Sequence, residues 1–397
     1  MRLLCGAAFI FIVAAAGCGG SQSGGIPNGA GSGSQANSSI QATPVPNAQA
    51  SPARDAPHGL PGGENPPCAS LLSVVTCSVV INLQFPPLSN PLEPASLIPG
   101  YHPSDLQSAY NLPSTQSGTT VAVVVAYDDP GAEVDLTAYR TVFGLPLCTS
   151  LTGCFKKVNQ AGQSGPLPAV NTAWSIESAL DVDMVSAGCP NCSIVLVEAN
   201  SSDLSDLGTA VDTAVAMGAH VVSNSYYANE FPGEKALDVH YNHPGVAMTA
   251  STGDSSLPSY PAASDYVTGV GGTSLTNSGG SWKETPWIYG GHGCSLYVVR
   301  PAWQPLNLCP VGRSVADVAA VGDPKTGVAM FDALAGGWLV AGGTSVGAPL
   351  VADAYALSGR FNPPAKLYLD RSGFHDVPPA GIDLITGLGT PNGTGAF

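Results

Sequence analysis

The sequence predicts an α/β fold, a parallel sheet covered by helices on both faces, behind a disordered N-terminal extension. Three observations carry this. Residues 120–126 form a near-continuous β-branched run of the kind that makes a strand buried on both faces. Residues 193–197 form another, followed by helical spacing at Leu204, Leu207, Val211 and Val215, then by His220-Val221-Val222-Ser223-Asn224. That is a βαβ unit, and residues 246–250 add a third strand, so the elements alternate as a parallel sheet requires. In such sheets chemistry gathers just past the C-terminal ends of strands, where Asn224 and Asp254 fall.

Composition narrows the function. A chain of 397 residues with 28 acidic against 13 basic side chains, net −15, would repel nucleic-acid phosphates and suits acidic surroundings, where many carboxylates are neutral. Forty-eight glycines and 35 prolines imply much loop and a long flexible segment. Of ten cysteines, Cys5 and Cys18 lie near the N-terminus. The rest form the sequence-local couples Cys68/Cys77, Cys148/Cys154, Cys189/Cys192 and Cys294/Cys309, a disulfide pattern typical of an exported protein. Cys189-Pro-Asn-Cys192 also has the spacing of a redox motif or half a zinc site; with no second couple at zinc-knuckle spacing, a disulfide is favoured.

The chain divides into four parts. Residues 1–17, with Arg2 and an apolar run, read as a signal peptide. Ala15-Ala16-Gly17-Cys18 resembles a bacterial lipobox, which makes Cys18 a lipid anchor, although Ala15 stands where Leu is usual; ordinary cleavage after a small residue is the alternative. Residues 18–66 are a Gly/Ser/Pro-rich disordered tether. Residues 67–98 form a short segment with a strand-like run over 78–83, too small to be a domain. Residues 99–397 hold the folded domain, expected to be a monomer at the cell envelope or secreted.

Within that domain, Gly342-Gly343-Thr344-Ser345 lies between an apolar run (338–341) and an Ala/Leu-rich helical run (350–357). Ser345 then falls near a helix N-terminus, where free N–H groups favour a developing negative charge and a nucleophilic serine fits. The plainer reading is a Gly-Thr-Ser turn and cap. Pro349 is tolerable because the helix has barely begun. Residues 174–184 read as a helix with Glu177 and Asp181 on one face, one turn apart. Leu180 and Met184 beside them point to a buried helix, in which two carboxylates share a proton and can serve as base and orienting acid; a solvated acidic face is the alternative. Asp254, in Ser251-Thr252-Gly253-Asp254, could stay protonated and donate to an oxyanion. His220, His243 and His292 have no triad context, which weakens a Ser-His-Asp reading.

Together these pieces resemble the sedolisins, serine-carboxyl peptidases of subtilisin-like fold. The matching stretches come in family order: Glu177-x-x-x-Asp181, Val222-Ser223-Asn224-Ser225, Ser251-Thr252-Gly253-Asp254, Tyr260-Pro261-Ala262-Ala263-Ser264, Val270-Gly271-Gly272-Thr273-Ser274, Asp317-Val318-Ala319-Ala320 and Gly343-Thr344-Ser345-x-x-x-Pro349. The resemblance implies an acid endopeptidase acting on peptides or proteins, with Ser345 as nucleophile, Glu177 as general base, Asp181 orienting it and Asp254 as oxyanion donor. It also implies a calcium loop, here Asp376, Val377, Pro379, Gly381 and Asp383, shortened, with Pro379 where a glycine is usual. The large N-terminal prodomain usual in the family has no room in residues 19–98. These departures leave a rival: a surface lipoprotein that keeps the fold for binding without turnover.

Overall fold

A computed structural model of the chain describes residues 75–116 and 119–397. The expected signal peptide, lipid anchor at Cys18 and tether, and Cys68, lie outside those residues.

The described chain opens with β1 (Val75–Cys77) and β2 (Val80–Ile81). The strand-like run expected over 78–83 is thus interrupted at Ser78 and Val79, because the flanking strands join different sheets. Helix α1 (Pro103–Ala109) leads to β3 (Thr120–Ala126), α2 (Ala132–Val142), β4 (Phe155–Asn159) and α3 (Thr172–Gly188). Next come β5 (Ser193–Ala199), α4 (Leu204–Ala216), β6 (Val221–Asn224), β7 (Tyr226–Asn229), β8 (Ala247–Ser251) and β9 (Ser259–Tyr260). The long β10 (Thr268–Ser278) turns back into β11 (Ser281–Pro286), and β12 (Gly293–Val299) pairs with β13 (Gly312–Val315). Then β14 (Val318–Val321), β15 (Val328–Asp332) and β16 (Gly337–Gly342) lead into α5 (Thr344–Ser358).

The central sheet runs β11-β10-β8-β6-β3-β5-β4, with β14 also on β10. Every pairing in it is parallel except β10 with β11. This is the parallel, helix-covered α/β sheet expected from the sequence. The β-branched run is its middle: Val121 to Val125 have no solvent access on either face. Helices α3 and α5 pack on each other and against β3, while α4 lies over β3 and β5 from the other side. The α3–α5 layer has no wet side. Residues 177–188 of α3 and 344–357 of α5 are all buried, so the carboxylates of Glu177, Asp181, Asp183 and Asp353 are interior groups.

Two smaller sheets frame the mouth of this layer. One runs β1-β7-β9, the other β15-β16-β2. Residues 75–98 are therefore woven into the folded body, with β1 on β7, β2 on β16 and Leu88 bridged to Trp338.

The Asp317-Val318-Ala319-Ala320 stretch proves to be a brace. Buried Asp317 pairs with buried Arg313 at 2.7 Å and accepts the Gly269 N–H at 2.8 Å and the Tyr368 hydroxyl at 2.9 Å. Arg313 also donates to the Ala262 and Val267 carbonyls, both at 2.8 Å. This ties the start of β10 to β14, the two strands beneath α5. Removing one partner strands a buried charge, so Arg313→Ala should cost about 3–5 kcal/mol of stability, read as a lower urea midpoint with unchanged slope.

Candidate active site

The site is assembled at the start of α5. Its N-cap, Gly343, has φ 95° and ψ 162°, a conformation open in practice to glycine alone. A Cβ there would also stand 1.8 Å from the Ser78 carbonyl oxygen and 2.8 Å from Asp254 Oδ2. Ser345 is the second residue of the helix, fully buried, and its main-chain N–H donates to the Ser78 carbonyl at 3.3 Å. Pro349 sits in the second turn, as its tolerance near the start requires.

Helix α3 supplies the acids. Asn171 caps it, accepting the N–H groups of Ala173 and Trp174 at 3.0 and 3.3 Å. Glu177 and Asp181 project from the face turned to α5. Burial foremost, then the Asp181 charge, push the Glu177 carboxyl well above its ordinary value. The Ser345 hydroxyl and the Ser78 main chain pull the other way, while Asp254 pushes again. Burial likewise raises Asp181 well above its ordinary range, against hydrogen bonds from Ser225 and Glu177. The Ser225 hydroxyl donates to Asp181 Oδ1 at 2.6 Å.

Asp254 approaches from beyond β8. Its Oδ1 accepts both the Thr344 N–H (2.9 Å) and the Thr344 hydroxyl (3.0 Å). Burial outweighs these bonds and lifts its carboxyl to about 7. Asp254 Oδ2, Ser345 Oγ, Asp181 Oδ2 and both Glu177 oxygens are shielded from solvent without a partner of good hydrogen-bond distance and angle. Ser345 thus influences Glu177 without closing a strong hydrogen bond to it, the loose arrangement common before a substrate tightens a site. The four residues singled out from sequence do converge.

The histidines do not join them. His220 stacks on Phe361, His243 and His240 share Asp212 on α4 at 2.9 and 2.7 Å, and His292 contacts the Gly290 carbonyl at 2.7 Å. Asn224 does not reach the site either. It lies within β6, where it donates to the Thr249 carbonyl at 3.0 Å and accepts the Tyr226 hydroxyl at 2.8 Å. Cys148–Cys154, Cys189–Cys192 and Cys294–Cys309 are disulfides, which resolves the Cys-Pro-Asn-Cys alternative.

No protein-family model matches the chain. Kumamolisin of Bacillus sp. (strain MN-32) is 29% identical over 362 residues, with 74% of this chain and 62% of that protein covered. Xanthomonalisin of Xanthomonas sp. (strain T-22) is 23% identical over 326 residues, covering 66% of this chain and 39% of that protein. The structure of Pseudomonas sedolisin, a serine-carboxyl proteinase complexed with two molecules of pseudo-iodotyrostatin, matches with a TM-score of 0.63 at 20% identity, over 74% of this chain and 96% of that one. The chain is thus similar in sequence to the sedolisins kumamolisin and xanthomonalisin and shares the fold of sedolisin. It spans about three fifths of the length of kumamolisin and two fifths of that of xanthomonalisin.

Of the residues expected to hold calcium, the two acids are engaged by main-chain N–H groups. Both oxygens of Asp376 accept the Gly381 N–H, at 2.9 and 3.1 Å. Asp383 Oδ1 accepts the N–H groups of Ile385 and Thr386, at 2.7 and 2.9 Å. Among the described residues no three His, Cys, Asp or Glu side chains cluster as metal ligands.

Two contributors are not legible from sequence. Ser225 lies within Val222-Ser223-Asn224-Ser225, but its residue type does not say that it faces Asp181. Thr344, which holds Asp254, reads from sequence only as a turn residue.

The domain buries acids well beyond the site. Burial first of all raises Asp129 to about 7, Asp135 to about 6, Glu234 to about 7 and Glu198 to about 8. A carboxyl raised in the folded state binds its proton more tightly there than in the unfolded chain. Its contribution is full below the unfolded value near 4 and is lost as pH rises through the folded value. The melting temperature should therefore fall steadily from about pH 4 to about pH 8, measured by calorimetry at fixed ionic strength; a flat or rising profile contradicts the neutral-acid core.

Proposed function

We propose that this chain is a serine-carboxyl endopeptidase that hydrolyses peptide bonds at acidic pH. The carrying observation is geometric: Ser345, fully buried at the start of α5, faces the buried Glu177 and Asp181 of α3, and Asp254 is held beside it through Thr344.

In this reading Ser345 Oγ attacks the scissile carbonyl carbon while Glu177 takes its proton. Glu177 and Asp181, sharing a single proton, keep one carboxylate oxygen free for that task and hold it in place; Ser225 fixes Asp181. The carbonyl oxygen becomes an oxyanion between the Ser345 N–H and the protonated Asp254, whose other oxygen is pinned by Thr344. Glu177 then passes its proton to the leaving amine, and water repeats the sequence to free the acyl group. Asp254 must be neutral to donate, so activity falls as pH rises through about 7. Three disulfides support an exported protein. Among the described residues no helix is long and apolar enough to cross a membrane. A signal peptide and lipid anchor at Cys18 complete the proposal.

The test is hydrolysis of an unfolded protein substrate across roughly pH 3 to 8, bracketing the carboxyl and histidine ranges. Cleavage should be confined to the acid side and abolished in Ser345→Ala. Removing the donor in Asp254→Ala should lower kcat about 10²–10³-fold. Asp254→Asn should behave differently. Thr344 holds the remaining oxygen, which aims the new NH₂ group into the pocket at every pH, so the high-pH limb should move upward. An unchanged limb would remove Asp254 from the mechanism. Absence of cleavage at any pH by folded protein would favour the binding lipoprotein.

A further inference from the structure

We propose that Tyr227 restricts the cleft to small residues: it closes the space for the side chain that precedes the cleaved bond, so the enzyme cuts after glycine, alanine or serine and refuses bulky residues there. This rests on the peptidase reading above and adds the selectivity of that same site.

The seat of that side chain is fixed by the two groups that flank the oxyanion position, the Ser345 N–H and Asp254 Oδ2. The Ser78 carbonyl oxygen stands between them. It accepts the Ser345 N–H at 3.3 Å, and a Cβ at Gly343 would lie 1.8 Å from it and 2.8 Å from Asp254 Oδ2. Ser78 thus marks where the residue before a scissile bond lies, and it serves here only as that marker. Its side chain is buried, and its hydroxyl meets that of Ser251, the last residue of β8, at 2.8 Å. In that direction the space ends one heavy atom beyond Cβ.

A longer side chain has to turn along the trough between β7 and residues 251–254, and Tyr227 occupies that trough. Thr76 stands directly opposite Tyr227 in the antiparallel ladder, and opposite partners share a face of the sheet. The Ser78 N–H continues the ladder to the Ser225 carbonyl at 3.4 Å, so Ser78, two residues beyond Thr76, is on that face too. Tyr226 has the other parity and points away, its hydroxyl donating to Asn224 Oδ1 at 2.8 Å and meeting that of Tyr241 at 3.2 Å.

From β7 the Tyr227 ring crosses onto the bare backbone of Gly253. A Cβ at Gly253, whose φ is 82°, would stand 2.6 Å from both Cγ and Cδ2 of the ring and 2.9 Å from Cδ1. The phenol end comes under the influence of Asp254: burial foremost and then the Asp254 charge raise it, while the Asp254 main chain pulls it back. The ring therefore bridges the two walls of the trough. Ser251 closes one end, and its hydroxyl offers a serine a hydrogen-bond partner that an aliphatic side chain cannot use. Only the loss of the ring would open the space, because the opposite wall at Gly253 is already without a side chain.

The test uses two peptides identical except for serine or leucine before the scissile bond, cleaved at acidic pH by the full chain, with mass-spectrometric mapping of the cut sites in an unfolded protein alongside. For the wild type, kcat/KM should favour the serine peptide by about 10–200-fold, the range that one misfitting methylene supplies, and the mapped cuts should follow glycine, alanine and serine. Tyr227→Gly should raise the leucine-to-serine ratio by about the same factor. Tyr227→Phe keeps the ring and should keep the wild-type ratio. A merely structural role for the ring would lower both peptides together and leave the ratio unmoved. Wild-type cleavage after leucine or phenylalanine as readily as after serine would overturn the selectivity proposal with no variant needed. An unchanged ratio in Tyr227→Gly would overturn it too, with Tyr227→Ala read in its place if the glycine variant does not fold. Cleavage of neither peptide and of no unfolded protein by the folded wild type would overturn the peptidase reading as well.

Discussion

Desolvation of Glu177 is the constraint on which the rest of the site depends. An isolated carboxylate cannot be taken out of water cheaply; it either finds a cation or takes up a proton. Among the described residues no lysine, arginine or histidine forms an ion pair with Glu177, Asp181 or Asp254. Protonation is what remains. Placing Asp181 one helical turn away raises the tendency further, since two interior carboxylates share one proton more easily than they carry two charges. That requirement explains why α3 has no wet face along residues 177–188: water there would let both acids ionise and end the sharing.

The same solution recurs where no catalysis is proposed. Burial first of all raises the carboxyls of Asp129, Asp135 and Asp183; the Asp332 charge pushes all three up further and that of Asp135 adds to Asp129 and Asp183, while main-chain N–H donors and, among the cations, Lys157 and Arg140 act against them. Asp353 is buried with both oxygens unpartnered. With 28 acidic side chains against 13 basic ones, the chain has too few cations to pair its interior acids. The acidic composition and the carboxylates proposed for catalysis therefore have one physical basis: a core of neutral acids is stable in the pH range where Asp254 can donate a proton.

Much of this was legible beforehand because periodic patterns survive folding. The β-branched run at 120–126 became the middle of the sheet, and the Glu177/Asp181 spacing placed both acids on one face of a longer helix than the apolar pattern delimited. Gly343 and Ser345 were readable because a glycine beside a serine between strand and helix permits few backbones. What stayed hidden depends on contacts distant in sequence. Ser225 acquires its role from a helix 44 positions away, and Asn224, one residue earlier, points into the sheet instead. Strand alternation separates the two, and sequence alone does not say which parity faces the site. The Asp376–Asp383 loop shows the reverse limit: acid types fit a cation on paper, but the fold turned N–H donors toward them.

Ser78 was the least legible residue, because a short strand-like run in a small N-terminal segment carries no chemistry of its own. Its meaning comes from Gly343. A methyl group at that position would strike the Ser78 carbonyl oxygen and crowd Asp254 Oδ2 together. The missing side chain therefore meets three needs at once: it permits the sharp entry into α5, it lets a carbonyl descend to the Ser345 N–H, and it leaves the acid room to face that carbonyl. A glycine kept only to start the helix would not need Asp254 beside it. A glycine kept only to admit Asp254 would not need a carbonyl at 3.3 Å from the Ser345 nitrogen. The coincidence of all three at one position makes the residues 75–81 passage part of the site rather than a strand that happens to cross it.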